Sequence, residues 1–185
     1  LSALILGGIT LSNHAKTSGP SEKMLGLFAL IGPALATVIA GALFVQQLKQ
    51  RDLIWTHTLA PWLHTSSFEL NFSFSMDHLS GLMTVMITFI GTLIHIFSIA
   101  YMHDDRGFSR YFAYLNLFLA AMLLLILSDN IIGLFMGWEG VGVCSFLLIG
   151  FWFQDIQKAG AGSKAFIVNR IGDFGFILGI YFLFL

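Results

Sequence analysis

A chain of 185 residues with 57% hydrophobic and 10% charged side chains, nineteen phenylalanines and a mean hydropathy of +0.84 lies far from soluble globular domains, in which about 25% of residues are charged. Its solvent is a lipid bilayer. The formal net charge of −1 excludes the basic footprint that nucleic-acid binding requires, and the single cysteine, Cys144, sits in an apolar run and excludes a disulfide framework or a cysteine-based metal site.

In chain order, residues 1–11 are too short to cross a bilayer alone and read as the end of a truncated first helix. They lack the basic start and small-residue cleavage pattern of a signal peptide. With no initial methionine and an apolar run at Leu185, the chain is expected to be a fragment of a longer protein. Segments 24–48, 79–102, 111–127, 130–153 and 163–185 each come close to the roughly 20 residues of a spanning helix and predict five membrane helices.

Between them, "NHAKTSGPSEK" (13–23), "HDDRGFSR" (103–110, with Ser109 as helix N-cap) and "QDIQKAGAG" (154–162) read as loops. In the longest break, 49–78, the stretch "FELNFSFSMD" (68–77) alternates Phe68, Leu70, Phe72 and Phe74 with Glu69, Asn71, Ser73 and Ser75. That period predicts a short strand or hairpin on the membrane surface, its Phe/Leu face down on the helix ends. If the helices alternate in direction, one side holds Lys16, Lys23, Arg106, Arg110, Lys158 and Lys164, and the other only Lys49 and Arg51. The positive-inside rule places the first side in the cytoplasm and the hairpin outside. The fold class is thus an all-α polytopic membrane bundle, forming a single and incomplete membrane domain.

Against this background the intramembrane charges stand out. Glu139 lies ten residues past Asp129, about 15 Å into a core about 30 Å thick. Asp173 lies nine residues past Lys164 on the next helix, about 14 Å deep from the other side. Arg170 precedes Asp173 by three residues and can pair with it on one helix face. Glu139 has only Phe135, Met136, Gly142 and Val143 one turn away, so it needs a cation on another helix, water or a proton. An ionised group at the bilayer centre costs about 2.5–3.5 kcal/mol on insertion scales, and such groups mark ion or proton pathways. For the Arg170–Asp173 pair, simple mutual neutralisation is a real alternative.

Gly133, Gly137, Gly140 and Gly142 flank the acid, and their ordinary use is close helix packing; bare backbone there also leaves room for water. His95, deep in the third segment, is a candidate proton relay or, equally, a histidine bonded to a neighbouring helix. His57, His64, His78 and His103 form no sequence cluster of metal ligands. "GVGVCS" (140–145) and "GAGSK" (160–164) lack the defining positions of dinucleotide and phosphate-loop motifs, so no metal or cofactor site is expected in this chain.

The stretches "SRYFAYLNLF" (109–118), "SDNIIGLFMGWEGVGVCSFLLIGFW" (128–152) and "KAFIVNRIGDFGF" (164–176) resemble subunit L of bacterial proton-pumping NADH–quinone oxidoreductase, the respiratory complex whose mitochondrial counterpart is chain 5. The resemblance is close from about residue 70 onward. It implies an antiporter-like bundle of inverted helical repeats, and a proton-transfer role for Glu139, Asp173 and Arg170, with a partner lysine beyond Leu185. It further implies that NADH, FMN, iron–sulfur clusters and quinone belong to other subunits. The partners are then adjacent antiporter-like subunits and lipid, and the location is the bacterial inner (cytoplasmic) membrane. A multisubunit cation/proton antiporter shares the glutamate motif and stands as the nearer alternative; a scaffold with purely structural buried charges is the more distant one.

Overall fold

The computed structural model describes residues 2–13, 22–50, 53–65 and 68–183. The elements run α1 (Ser2–Asn13), α2 (Glu22–Lys49), β1 (Trp55–Thr65), β2 (Phe68–Met76), α3 (His78–Tyr101), α4 (Phe108–Leu127), α5 (Ile131–Ile149) and α6 (Ile156–Leu183). Among the described residues, five helices are long and apolar enough to cross a bilayer: α2 to α6, with 28, 24, 20, 19 and 28 residues. The chain is a multi-pass helical membrane protein with one two-stranded antiparallel sheet outside the bundle. Lys16 and Arg51, used above in counting loop charge, lie outside the described residues.

In lipid, apolarity does not decide which helix face packs, and small or hydrogen-bonding residues do. On α3 the buried positions are Gly81, Thr84, Thr88, His95 and Ser98, while Leu82, Phe89, Ile90 and Phe97 point outward. α4 is central and packs against α1, α2, α3 and α5, whereas α6 packs against α5. An apolar cluster including Leu6, Leu25, Met102, Phe112 and Phe151 closes the bundle at the end where the α3–α4 and α5–α6 turns meet.

Several polar groups of this first block pair locally. Pro33, inside α2, cannot donate the backbone bond to the carbonyl four residues earlier. That carbonyl, on Ala29, instead accepts the Asn116 side-chain amide at 3.2 Å, and the same amide bonds the Phe112 carbonyl at 3.0 Å. The Asn116 oxygen accepts Ser2 Oγ at 2.8 Å. Thr37 Oγ1 donates to the Pro33 carbonyl and meets Thr92 Oγ1, both at 2.9 Å. Ser98 meets Tyr111 across to α4 at 3.3 Å.

The outer hairpin is larger than the alternating stretch predicts. The hairpin expected near 68–77 is present, with β1 as its other arm; Pro61 there adjoins one of two register irregularities, where a missing donor is tolerated. Leu70 and Met76 are buried under the sheet. Gln47, fully buried at the end of α2, donates to the Met76 carbonyl at 2.7 Å and ties the hairpin exit to the bundle. Asp77 then caps α3, its carboxylate accepting the Ser80 N–H at 2.7 Å while Ser80 Oγ accepts the Asp77 N–H at 2.8 Å. These Ser80 bonds hold the Asp77 carboxyl below its ordinary value.

Two loop expectations are corrected. α4 starts at Phe108 with Gly107 as its N-cap and no side-chain cap, so Ser109 is inside the helix. The "QKAGAG" stretch is helical from Ile156; Gly162 allows that early turn to run against α5, since a Cβ there would stand 3.1 Å from the Gly150 nitrogen.

Contacts between turns sort them onto two sides. Ser73 and Asn71 of the hairpin bond Asp129 and Asn130 at 3.2 and 3.0 Å, and Phe74 bridges Ser128. At the opposite end, Asp104 N donates to Glu22 at 3.3 Å and Trp152 Nε1 donates to Asp105 at 3.0 Å. Successive helices therefore alternate in direction.

Candidate functional site

Glu139 is borne by α5, which starts cleanly because Asn130 accepts the Gly133 N–H at 2.8 Å. Gly137, two residues before the acid and on the opposite, α4 side of the helix, is required by packing: a Cβ there would lie 2.6 Å from Leu125 Cα. That close approach leaves no room for a side chain at this point of the α4 face of α5. On the other face α6 is set in register by aromatic stacking, with Phe176 parallel to Trp138 (6.2 Å, 5°) and to Phe135 (5.5 Å, 14°).

This register brings three charged side chains together. Arg170 Nη1 forms an ion pair with Glu139 Oε2 across the two helices, and lies 3.5 Å from Asp173 Oδ2 on its own helix. The second Asp173 oxygen accepts Trp138 Nε1 at 2.7 Å. Asp173 is 5% exposed, so both its oxygens are committed inside the helix pair. Phe166, one turn before Arg170, lies under the guanidinium at 4.6 Å and fixes its plane. The cation that Glu139 needs is thus Arg170 on the adjacent helix.

Beside the triad lies a cavity of about 170 Å³ lined by Trp138, Val141, Gly142, Ser145, Asn169 and Asp173. Its hydroxyl, amide and carboxylate groups supply the polar partners that ordered water needs, and the volume suffices for several molecules. Here Gly142 contributes space: a Cβ at that position would meet only Asn169 Nδ2, at 3.9 Å. Trp138, Ser145 and Asn169 were not singled out from the sequence. Trp138 and Asn169 immediately precede Glu139 and Arg170, and that adjacency was the available signal.

His95 stands apart from this centre. It is 1% exposed; Nδ1 engages the Gly91 carbonyl at 2.7 Å, and Nε2 is buried with no partner. It faces a cavity of about 250 Å³ shared with Ile90, Ile94, Leu115, Leu119 and Leu148, all apolar. Leu148 follows Glu139 by nine residues on α5, about 14 Å along the helix. Among the loop histidines, His103 does join other potential ligands: atoms of Glu22, His103 and Asp104 lie within 4.8 Å of one another. The group is solvent-facing, and His103 Nδ1 is taken up by Asp104 at 2.8 Å.

A multi-pass bundle that holds two carboxylates and one guanidinium between spanning helices belongs to the class of membrane proteins built around an intramembrane charged centre. Comparison with known proteins narrows the class. Residues 62–112 match the family model described as NADH-ubiquinone oxidoreductase (complex I), chain 5 N-terminus, and residues 128–185 match that of the NADH:quinone oxidoreductase/Mrp antiporter membrane domain. The chain belongs to this family of antiporter-like membrane subunits.

Relatives include NADH-quinone oxidoreductase subunit L of Rickettsia bellii, 40% identical over 171 residues (86% of this chain, 27% of the relative). The Campylobacter jejuni protein of the same name is 50% identical over 116 residues (63% and 20%). The chloroplastic NAD(P)H-quinone oxidoreductase subunit 5 of Physcomitrium patens is 40% identical over 178 residues (96% and 24%). The chain thus spans about a quarter of the length of these curated relatives. Among solved structures, a chain of the membrane-bound sulfane sulfur reductase, an archaeal respiratory membrane complex, shares the fold with a TM-score of 0.74 at 19% identity, covering 96% of this chain and 34% of that one.

Proposed function

We propose that this chain is part of a proton-translocating membrane subunit of an NADH–quinone oxidoreductase, and that Glu139 with Arg170 and Asp173 forms one of its proton-exchange centres. The observation that supports this most is the charge count at the triad: two carboxylates share one guanidinium, so the ionised centre carries one negative charge too many for its apolar setting. One proton, or one approaching cation, balances it. A cation moving near Glu139 and away again changes which of the two does so, which is the elementary act of loading and releasing a proton. The polar cavity at Asp173, Asn169 and Ser145 gives that proton a wet neighbour on one face only.

No covalent chemistry is assigned to these residues. NADH oxidation and quinone reduction, with FMN and iron–sulfur clusters, fall to other subunits, and the bacterial cytoplasmic membrane is the assigned location, with the α3–α4 and α5–α6 turns inside. Other membrane subunits, antiporter-like ones above all, are its assigned neighbours. His95, in an apolar cavity away from the triad, remains a secondary candidate relay.

The test is Glu139→Gln in the full-length protein, in inverted membrane vesicles, with proton pumping and NADH oxidation followed together. Oxidation that continues while the proton gradient collapses is the expected result; an unchanged gradient removes Glu139 from the path. A second reading, a multisubunit cation/proton antiporter, is favoured by the matched family description that names both systems. In that case the same variant abolishes cation-driven proton exchange in vesicles that oxidise no NADH through this complex.

A further inference from the structure

At the bundle end that holds the α3–α4 and α5–α6 turns, Arg110 occupies an unusual position. It lies in the first turn of α4, where the helix macrodipole is positive and a cation is unfavourable. The glycine before this helix provides no side-chain cap. Among the described residues no carboxylate comes within ion-pairing distance of Arg110. Its guanidinium makes one long bond, 3.4 Å, to the Phe151 carbonyl, and is otherwise held by the rings of Phe151 and Phe153, at 4.7 and 5.1 Å.

The nearby acids are engaged elsewhere. Asp105 accepts the Gly107 N–H at 2.6 Å and Trp152 Nε1 at 3.0 Å, Asp155 faces Lys158 at 3.6 Å, and Asp104 faces His103. A guanidinium with most of its five donors open, stacked between aromatics at a positive helix end, is arranged to receive an anion.

The space in front of it defines which anion. Arg110 forms the rim of a cavity of about 180 Å³ whose walls are Tyr114, Phe146, Leu147, Gly150, Phe151 and Phe153. Tyr114 is one turn deeper on α4 and Phe146 one turn deeper on α5, about 5–6 Å toward the membrane interior. The slot is cationic at the mouth and apolar below, as a phosphate with an acyl chain beneath it requires. A free inorganic anion has no use for the apolar floor. Lys164 adds positive charge on the same side, matching an anionic leaflet.

We propose that Arg110 and the slot beneath it form a binding site for the phosphate and upper acyl chain of an anionic phospholipid. The site is independent of the proton-transfer reading.

The test is native mass spectrometry of the full-length protein released from nanodiscs containing phosphatidylglycerol and phosphatidylcholine. Wild type retains phosphatidylglycerol selectively. Arg110→Gln lowers that retention about tenfold, as expected for losing a charge-assisted hydrogen-bonded pair. Arg110→Lys, which keeps charge and fold but not the fork, falls between them, and Arg106→Gln equals wild type. Equal retention by Arg110→Gln and wild type, or equal retention of both lipids by wild type, overturns the proposal. Displacement of the lipid by inorganic phosphate makes the site a general anion site, and loss of selective retention on assembly with neighbouring subunits assigns the face to a protein partner; either result also overturns it.

Discussion

The bundle contains two kinds of buried polarity. Between α1, α2, α3 and α4 the polar side chains are neutral and pair locally: Asn116 serves Ala29, Phe112 and Ser2, and Thr37 pairs with Thr92. Between α5 and α6 they are charged and do not sum to zero, with Glu139 and Asp173 sharing Arg170. The first arrangement ties helices together, with Gln47 Oε1 and His95 Nε2 the buried side-chain atoms it leaves without a partner among the described residues. On the proposed function, the second has an open valence for a proton. Polarity in a membrane protein therefore separates into structural and functional by its balance more than by its depth.

The sharpest way to break this comparison is Arg170→Gln, which leaves two carboxylates facing each other. Removing one partner of a buried ion pair costs about 3–5 kcal/mol in general, and less here because the guanidinium is partly exposed. The expected outcome is loss of proton transport, with thermal unfolding in detergent shifted downward but still cooperative. Full transport in this variant would put the triad among the structural groups.

A smaller effect is expected from Asn116→Leu. Its amide is the donor that Pro33 denies to Ala29, and an orphaned buried carbonyl costs about 1–3 kcal/mol, with membrane examples nearer 1 kcal/mol. Stability should fall while proton transport per folded molecule stays at the wild-type level. A transport defect without a stability change would blur the distinction drawn here.

The smallest effect belongs to the α3 cap. Asp77→Ala should cost about 1 kcal/mol at neutral pH. Because the Ser80 bonds depress the Asp77 carboxyl in the folded state, its contribution is fully present above the ordinary aspartate value, about 3.9, and is lost as pH falls through the depressed folded value. Thermal unfolding against pH should therefore show wild type and variant converging at the acid end.

Much of this could be read in the sequence, for physical reasons that differ by element. Spanning helices are legible because twenty apolar residues have few other uses, and Glu139, Arg170 and Asp173 are legible because charge in lipid is costly. The extent of the strand Trp55–Thr65 was hidden by Pro61, and the early start of α6 by glycines that read as a flexible linker until Gly150 is seen packed against Gly162. The pairing of Glu139 with Arg170 is a matter of helix rotation, which depends on Phe176 stacking on Trp138 and Phe135. No spacing within either helix encodes that contact. His95 illustrates the converse, a conspicuous residue in the sequence that the fold sets in an apolar chamber away from the other charges.

The turns at the two ends of α5 have a mechanical consequence. One end is hooked to the hairpin through Ser73–Asp129 and Asn71–Asn130; the other is latched by Trp152 to Asp105 and by Arg110 to Phe151, and Gly137 wedges its middle against α4. A rod fastened at both ends and along one side makes the glutamate it bears the stationary member of the proposed exchange centre. Displacement in the proposed exchange then falls to the guanidinium side chain, which is 39% exposed.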